Sequence, residues 1–565
     1  MHSGLNFQTF LTIYYAEHSL WLQPGLHENQ LSIIQSPMQM GQNQTRSPLR
    51  SAVEFAIFTA LFAIVYAQSP LYTSNQNQYF LHGLARAGVG YLKQDWLANT
   101  LDPTPVFSTL VEFTFRLTRL EALFYLYYAL LMGVYLFSLL GIGVSLFNPA
   151  NGRQKNVASI LFASMLIVIH SAALRFILSR TLSENWSYII EDGVADQRIL
   201  GPVFQPSVFG VLLIASISLV IHQRPYLAIL SAVLAATFHP TYLLSAAVLT
   251  VLYMFLAWKD GRSLGKIFTL GATALIFVSP ILYYAFDSFG GSSPEVAAQA
   301  REILASYRIP HHARIDQWLD ATVAVKIALL LAALYLSRRS RVVFSILLGS
   351  SLIVVLLTAI QALLGSDFLA LVFPWRLSIY ILPLSTTIIL AAITARISAS
   401  PLLRSSTWVN TLKILSGAAI LVAVVVGAVR FKLDLDRKAQ NSERALFTFV
   451  YAHKQPEDLY LTPVKMQDFR LESGAPVFVD FKSIPYKDAD VLEWYRRVQV
   501  ADDFYKSEDC EVLRSVITRE KITHVVVETN QIGSKCSFTN VSFQDQYLTL
   551  LQIVPAGNLL VKSDN

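Results

Sequence analysis

Charge is scarce in this chain. Only 15% of its 565 residues are Asp, Glu, Lys or Arg, against 54% hydrophobic residues, and the mean hydropathy is +0.46. A soluble chain of this length carries about 25% charged residues, so a soluble protein is excluded. Two cysteines, Cys510 and Cys536, are too few for a zinc ribbon or a disulfide framework and leave room for a single bridge. Lys and Arg number 44 against 38 Asp and Glu, and the basic residues stand in short clusters between apolar runs. That is loop charge, which argues against a nucleic-acid partner. No nucleophile elbow, zincin helix or Rossmann fingerprint occurs, and Gly83, Gly88 and Gly90 lack the Lys-Ser/Thr of a P-loop and read as loop flexibility. No internal repeat signals an inverted-repeat transporter.

What is present is a series of long apolar runs. A span needs roughly 17 to 25 residues, and about eleven runs qualify or nearly do, near 51–69, 121–147, 156–178, 207–222, 225–238, 241–258, 267–286, 321–337, 342–364, 377–395 and 412–429. The two beside His239-Pro240 are short and read as a broken pair or a re-entrant hairpin. The expected fold class is therefore an all-α polytopic membrane protein with a small C-terminal α/β domain. Residues 1–50 are polar, lack a secretory signal and read as disordered, with Met38 and Met40 as alternative starts. Residues 51–429 form the membrane domain, with a long first outer loop at 70–120, and 430–565 form a soluble α/β domain. Helical stretches in that domain are expected at 437–453, 488–501 and 508–519. Strands are expected at Leu459-Tyr-Leu-Thr, Pro476-Val-Phe-Val-Asp, His524-Val-Val-Val-Glu and Leu551-Gln-Ile-Val, the last forming a hairpin with Leu559-Leu-Val-Lys.

Positive charge sets the orientation. Arg46, Arg50, Arg153, Lys155, Arg224, Lys259, Arg262, Lys266, Arg338, Arg339, Arg341, Arg396, Arg404 and Lys413 fall in one set of loops, and most acids fall in the other. The N-terminus is then cytoplasmic and the C-terminal domain extracytoplasmic, where a Cys510–Cys536 bridge can persist.

The first outer loop carries Asp95, before Trp96, and Asp102, before Pro103, with Val106, Leu110, Phe113 and Leu117 at helical spacing and Glu112–Arg116 as an i,i+4 pair. Such a helix lies in the membrane interface. A carboxylate delivered there can act as general base or hold a divalent cation near a phosphate; it can equally cap a turn. Glu191, Asp192 and Arg198 crowd another outer loop and can bind a sugar and a phosphate, or form a surface ion-pair network of little consequence. His239 in an apolar hairpin, and more weakly His170, are ionisable groups where ionisation is costly. Their alternative is a neutral ring bonded to a freed carbonyl. Arg376, after Pro374 and Trp375, offers a fixed guanidinium suited to a lipid phosphate or to an aromatic-belt anchor. His311-His312 is a weak metal signal because adjacent side chains diverge.

This layout, a first span followed at once by a long outer loop with acids, then some ten spans and an outer α/β tail, resembles the GT-C superfamily of polytopic glycosyltransferases. The strings NQNQYFLHGLA, DWLANTLDPTPVFS, FHPTYLL, FPWRLS and TPVKMQDFRLESGAPVFVDFKSIPY are similar to those of an uncharacterised family of bacterial, often cyanobacterial, multi-pass membrane proteins. The second resemblance implies a bacterial inner-membrane protein, and the GT-C resemblance an enzyme. It would move a sugar from a polyprenyl-phosphate carrier to a glycan, lipid or protein acceptor at the outer leaflet, with Asp95 or Asp102 as base. Glu191, Asp192, Arg198, His239 and Arg376 would bind substrate. Asn75-Gln76-Asn77-Gln78 stands where many members of the superfamily have paired acids. A flippase of lipid-linked glycans, with the His239-Pro240 break lining the path, and a non-catalytic membrane assembly protein are the alternatives.

Overall fold

The computed structural model describes residues 48–146, 152–507, 509–529 and 536–554. The expected N-terminal disorder and the hairpin through Leu559 lie outside the described residues. The chain is a polytopic helical membrane protein with a small C-terminal α/β domain. Among the described residues seven helices are long and apolar enough to cross a membrane: Leu49–Tyr66, Ala122–Leu146, Pro240–Lys259, Leu264–Phe289, Arg341–Leu364, Asp367–Ser398 and Ser406–Ala439. Asn156–Ile169 and Ala172–Thr181, bent by 54°, make an eighth if taken as one span. The remaining expected spans are the shorter helices Pro206–Ile221, Pro225–Phe238 and Ala321–Ser337. At about 1.5 Å per residue these reach only about 21 to 26 Å, less than the roughly 30 Å of hydrocarbon. Eleven full crossings are thus not supported by length, although every expected run lies on a helix.

Lipid-facing surface is explicit. Phe268, Leu275, Tyr283 and Phe286 on Leu264–Phe289, and Ile414, Leu421, Val425 and Val429 on Ser406–Ala439, are exposed large apolar side chains, which a bilayer covers. The amphipathic helix expected in the first loop forms as Pro105–Thr118. Phe107 and Val111 pack inward while Phe113 and Leu117 stay exposed, and Glu112 pairs with Arg116 at 3.1 Å.

The helix Ser406–Ala439 runs past residue 430, so the soluble domain hangs from a continuous rod; the helix expected from 437 starts instead at Arg444 and ends at His453. Among the described residues four strands form one sheet in the order β1-β2-β4-β3: β1 Tyr460–Leu461, β2 His524–Glu528, β3 Thr539–Gln544 and β4 Leu548–Ile553. β1 runs parallel to β2, whereas β4 is antiparallel to both β2 and β3. The expected strand at 476–480 is reduced to an isolated bridge between Tyr460 and Val477. β2 reads as an unbroken apolar run because both its faces are covered. Val525 and Val527 meet Trp494 and Val498 of the helix Asp488–Ser507, while Val526 meets Phe447 of Arg444–His453. Cys510 and Cys536 are disulfide-bonded, with Cα atoms 5.6 Å apart.

Candidate functional site

The first loop, the segments near 191–198, 303–312 and 373–378, and the C-terminal domain meet on one face of the membrane domain. The first-loop Asn/Gln run is a clasp: Gln76 donates to the Phe204 carbonyl at 3.0 Å, Asn77 to Asp468 at 2.5 Å and Gln78 to the Tyr486 hydroxyl at 2.8 Å. Gly90, at φ +51°, lies against the Gly474 carbonyl, so the glycine read as flexibility instead permits a close backbone approach.

Asp95 belongs to this clasp. It is fully buried. Its Oδ2 accepts from Arg470 Nε at 2.7 Å and Val477 N at 2.9 Å, and its Oδ1 from Leu97 N at 2.9 Å and Ala98 N at 3.4 Å. Arg470 also pairs with Asp480. Every lone-pair direction of Asp95 is thus used in joining the first loop to the C-terminal domain, which disfavours it as a base. Asp102 caps its turn through Thr104 N at 3.0 Å and pairs with Arg86 at 3.1 Å. His82 lies within electrostatic reach of both acids, Asp102 acting on it more strongly than Asp95. His82 is driven below the usual imidazole range by burial, and Asp102 opposes that shift.

The centre of the face is Arg376. Phe373 adopts φ +52° and ψ +61° just before Pro374, a strained conformation for a bulky residue, and the short turn Pro374–Leu377 then presents the guanidinium. The helix Pro225–Phe238 ends because the residue before a proline leaves the helical region, and His239 accordingly sits at φ −141°. His239, expected in a break between two apolar helices, follows the end of Pro225–Phe238. There Arg376 bonds His239 Nε2 at 3.2 Å, Gln197 Oε1 at 2.7 Å and the Thr241 hydroxyl. All three partners are uncharged, and no carboxylate pairs with Arg376 among the described residues. Tyr79 lies edge-on to the His239 ring at 6.0 Å and bonds Tyr486.

Beyond this tyrosine pair stands a second buried cation. Arg308 ends a π-helical turn, Ile303–Arg308, a geometry frequent at functional sites. It donates to the Lys482 carbonyl at 2.5 Å and stacks on Phe481 at 5.1 Å. Burial pulls the Lys482 ammonium below the usual lysine range, with Arg308 adding to the effect and Asp480 opposing it. His312 is held neutral, its pKa lowered to about 3 by burial first and by His311, Arg376 and Lys482; the same ring faces the Ala195 carbonyl at 2.6 Å. Three buried polar atoms here have no partner among the described residues: Gln197 Nε2, His239 Nδ1 and Arg308 Nε. Such orphans are rare in folded proteins. Together with the unpaired guanidinium they make a site suited to an anion with several acceptor oxygens.

Glu191, Asp192 and Arg198 form a second buried knot. Glu191 stands 3.5 Å from Arg175 and 3.9 Å from His170, and Asp192 3.3 Å from Arg198. Burial raises Glu191 to about 8 against the opposing pull of Arg175, and raises Asp192 to about 6 against that of Arg198. This is not a surface network. It positions the loop whose Ala195 and Asp196 take φ +59° and +52° and which carries Gln197 to Arg376. His170 bonds Tyr135 at 3.1 Å and the Leu166 carbonyl at 2.8 Å. Among the described residues no three His, Cys, Asp or Glu side chains converge as a metal site.

Sequence reasoning singled out Arg376 and His239 but not Gln197, Thr241, Arg308 and Lys482, which the structure places around them. Only Lys482 and Arg308 carried a signal, as bases in segments held to be outside.

A family model described as a domain of unknown function (DUF6798) matches residues 441–501. No curated protein matches the chain in sequence. Among solved structures, a crystal structure of ArnT from Cupriavidus metallidurans in the apo state is 13% identical, with a TM-score of 0.43, over 89% of this chain and 98% of that one. A likeness of that strength fixes neither fold nor activity.

Proposed function

We propose that the protein is a GT-C-like glycosyltransferase of a bacterial inner membrane. It moves a sugar from a polyprenyl-phosphate carrier to a glycan, lipid or protein acceptor at the outer leaflet, with its N-terminus cytoplasmic and its C-terminal domain extracytoplasmic. The observation that carries the reading is Arg376, a largely buried guanidinium held by three uncharged partners at the membrane face. A lipid phosphate supplies the missing negative charge and, as leaving group, develops more of it in the transition state. Gln197 and His239 orient the guanidinium, and Arg308 and Lys482 add positive potential. Glu191, Asp192 and Arg198 hold the loop bearing Gln197. Of the two first-loop acids, Asp102, acting through His82, is the better placed to receive the acceptor proton.

The test is binding of polyprenyl-phosphate and polyprenyl-diphosphate sugars to the protein in nanodiscs. Arg376→Ala should weaken binding about tenfold or more, since hydrogen bonds to charged groups contribute about 1.5 to 3 kcal/mol. No saturable binding to any carrier overturns the reading. One observation favours a binding or assembly role without catalysis: both first-loop acids are ion-paired. That role, or carriage of lipid-linked glycans, keeps carrier binding and shows no sugar transfer with any acceptor.

A further inference from the structure

The end of the membrane domain opposite the clasp gathers positive charge. Pro240–Lys259 leads away from His239 to that end, and Leu264–Phe289 returns from it until Tyr284 donates to the Asp102 carbonyl at 2.7 Å. Ala321–Ser337 leads there past Lys326, which donates to the Gly193 carbonyl at 2.7 Å, and Arg341–Leu364 returns. The turns that join these two helix pairs are held together by Arg341 and Asp260, 2.9 Å apart. The turn before Pro225–Phe238 adjoins them, because the Tyr226 hydroxyl meets that of Thr269 at 2.8 Å. Arg224 comes from the first of the three turns in chain order, Lys259, Arg262 and Lys266 from the second, and Arg338, Arg339 and Arg341 from the last; all are exposed. Asp260 is the one acid in these turns, and among the described residues no carboxylate pairs with the other six cations.

We propose that the three turns form a binding surface for the headgroup of an anionic phospholipid, an inference independent of the glycosyltransferase reading. An excess of Lys and Arg in the loops on one side is common to membrane proteins and needs no ligand. Convergence sets this surface apart. Turns far apart in sequence are pinned side by side, and their like charges repel one another with a single acid to offset them. Arg50 shows the contrast, being paired with Glu54 at 3.2 Å. Apolar surface continues directly from the cations: Leu227, Trp258, Leu264, Phe268 and Tyr335 are exposed large side chains. Lys259 lies over the Trp258 ring at 5.3 Å and Arg338 over the Tyr335 ring at 4.0 Å, and such aromatic rings sit at headgroup level. A soluble phosphate meets only the cations. A phospholipid covers the cations with its headgroup and the apolar side chains with its acyl chains, so lipid is the occupant that the surface fits.

Native mass spectrometry of the full chain in detergent tests this by counting retained lipid when phosphatidylglycerol and phosphatidylcholine are offered in equal amounts. Each basic residue near an anionic lipid surface contributes about fivefold. The wild type should retain phosphatidylglycerol preferentially, and Arg338→Gln combined with Arg339→Gln should cut that preference about tenfold or more. Lys432→Gln combined with Arg437→Gln, which removes two exposed charges from the clasp end of Ser406–Ala439, should leave it unchanged. Asp260→Asn frees Arg341 and should strengthen retention, a gain that misfolding does not mimic. Equal retention of the two lipids by the wild type overturns the proposal, as does a double variant at Arg338 and Arg339 that behaves like the control. A preference lost in Arg376→Ala but kept in that double variant puts the lipid at the clasp and overturns the surface. Displacement by inorganic phosphate as readily as by short-chain phosphatidylglycerol overturns the lipid in favour of a soluble anion.

Discussion

Replacing Asp95 with Asn separates an anchor from a catalytic base. The carboxylate receives N–H donors from Arg470, Val477, Leu97 and Ala98, and an amide has only one acceptor oxygen, so its NH2 must confront at least one of these donors. Removing one partner of a buried ion pair costs about 3 to 5 kcal/mol. Asp480 still faces Arg470, which places the cost near the lower limit, about 3 kcal/mol, or about a hundredfold in the population of the opened junction. The assay is amide hydrogen exchange in detergent or nanodiscs, read at peptides spanning 95–98 and 470–480. Protection at Leu97 and Val477 should fall by about that factor, while the helix Ala122–Leu146 keeps its own. Arg470→Met in the same background should give far less than the sum of the two single effects, because the two residues share one interaction. Unchanged protection in Asp95→Asn together with lost sugar transfer would refute the anchor and restore Asp95 as the base.

Glu191 and Asp192 make stability depend on pH. Both carboxyls hold protons in the fold that the unfolded chain has released, Glu191 up to about pH 8 and Asp192 up to about pH 6. Stability therefore falls as pH rises from the ordinary carboxylate range through those values and levels off above them. Buried neutral histidines such as His82 and His312 add the opposite slope below about pH 6.5, so the test is the interval from pH 7 to 9, where the melting temperature should decline in the wild type and stay flatter in Glu191→Gln; parallel profiles for the two proteins contradict the assignment. Gly90→Ala should open the junction, because φ is +51° and the new Cβ meets the Gly474 carbonyl. Proteolysis near 90 and 474 should accelerate, and no acceleration would refute the close approach. Gly474→Ala, with its nearest neighbour at 3.4 Å, is expected to be milder.

The helical plan was legible because hydrophobic run length depends on local composition alone. β2 was legible because a doubly covered strand is an unbroken apolar run, whereas β3, an edge strand reading Thr-Asn-Val-Ser-Phe-Gln with mostly partial exposure, carries little apolar signal. The fate of Asp95 was not legible. Its partner lies 375 residues away, and an acid beside a tryptophan looks the same whether it faces substrate or an arginine. The Asn/Gln run was misleading for a related reason: measured against an expected acid pair it looked like a loss, yet its amides donate to Asp468, Tyr486 and the Phe204 carbonyl. An acid in place of Asn77 would face the Asp468 carboxylate.

Charge placement on this face has a direction. Most acids at the junction are matched, Asp95 and Asp480 with Arg470, Asp102 with Arg86, and Glu472 with Lys438 and Arg444, while Asp468 takes the Asn77 amide. The cations around the tyrosine pair are not matched in this way, since Arg376 has only neutral partners and Arg308 bonds a carbonyl. Burying a cation without an acid is costly. A fold that closes its acidic partners tightly while leaving two buried guanidiniums underpaired a few side chains away gains most from a ligand that brings negative charge. Because Lys482 and Tyr486 come from the C-terminal domain while Arg376 and Tyr79 come from the membrane domain, that ligand also binds best when the clasp is shut. Carrier binding should therefore protect Leu97 and Val477 from exchange, and in Asp95→Asn it should restore part of the protection that the substitution removes.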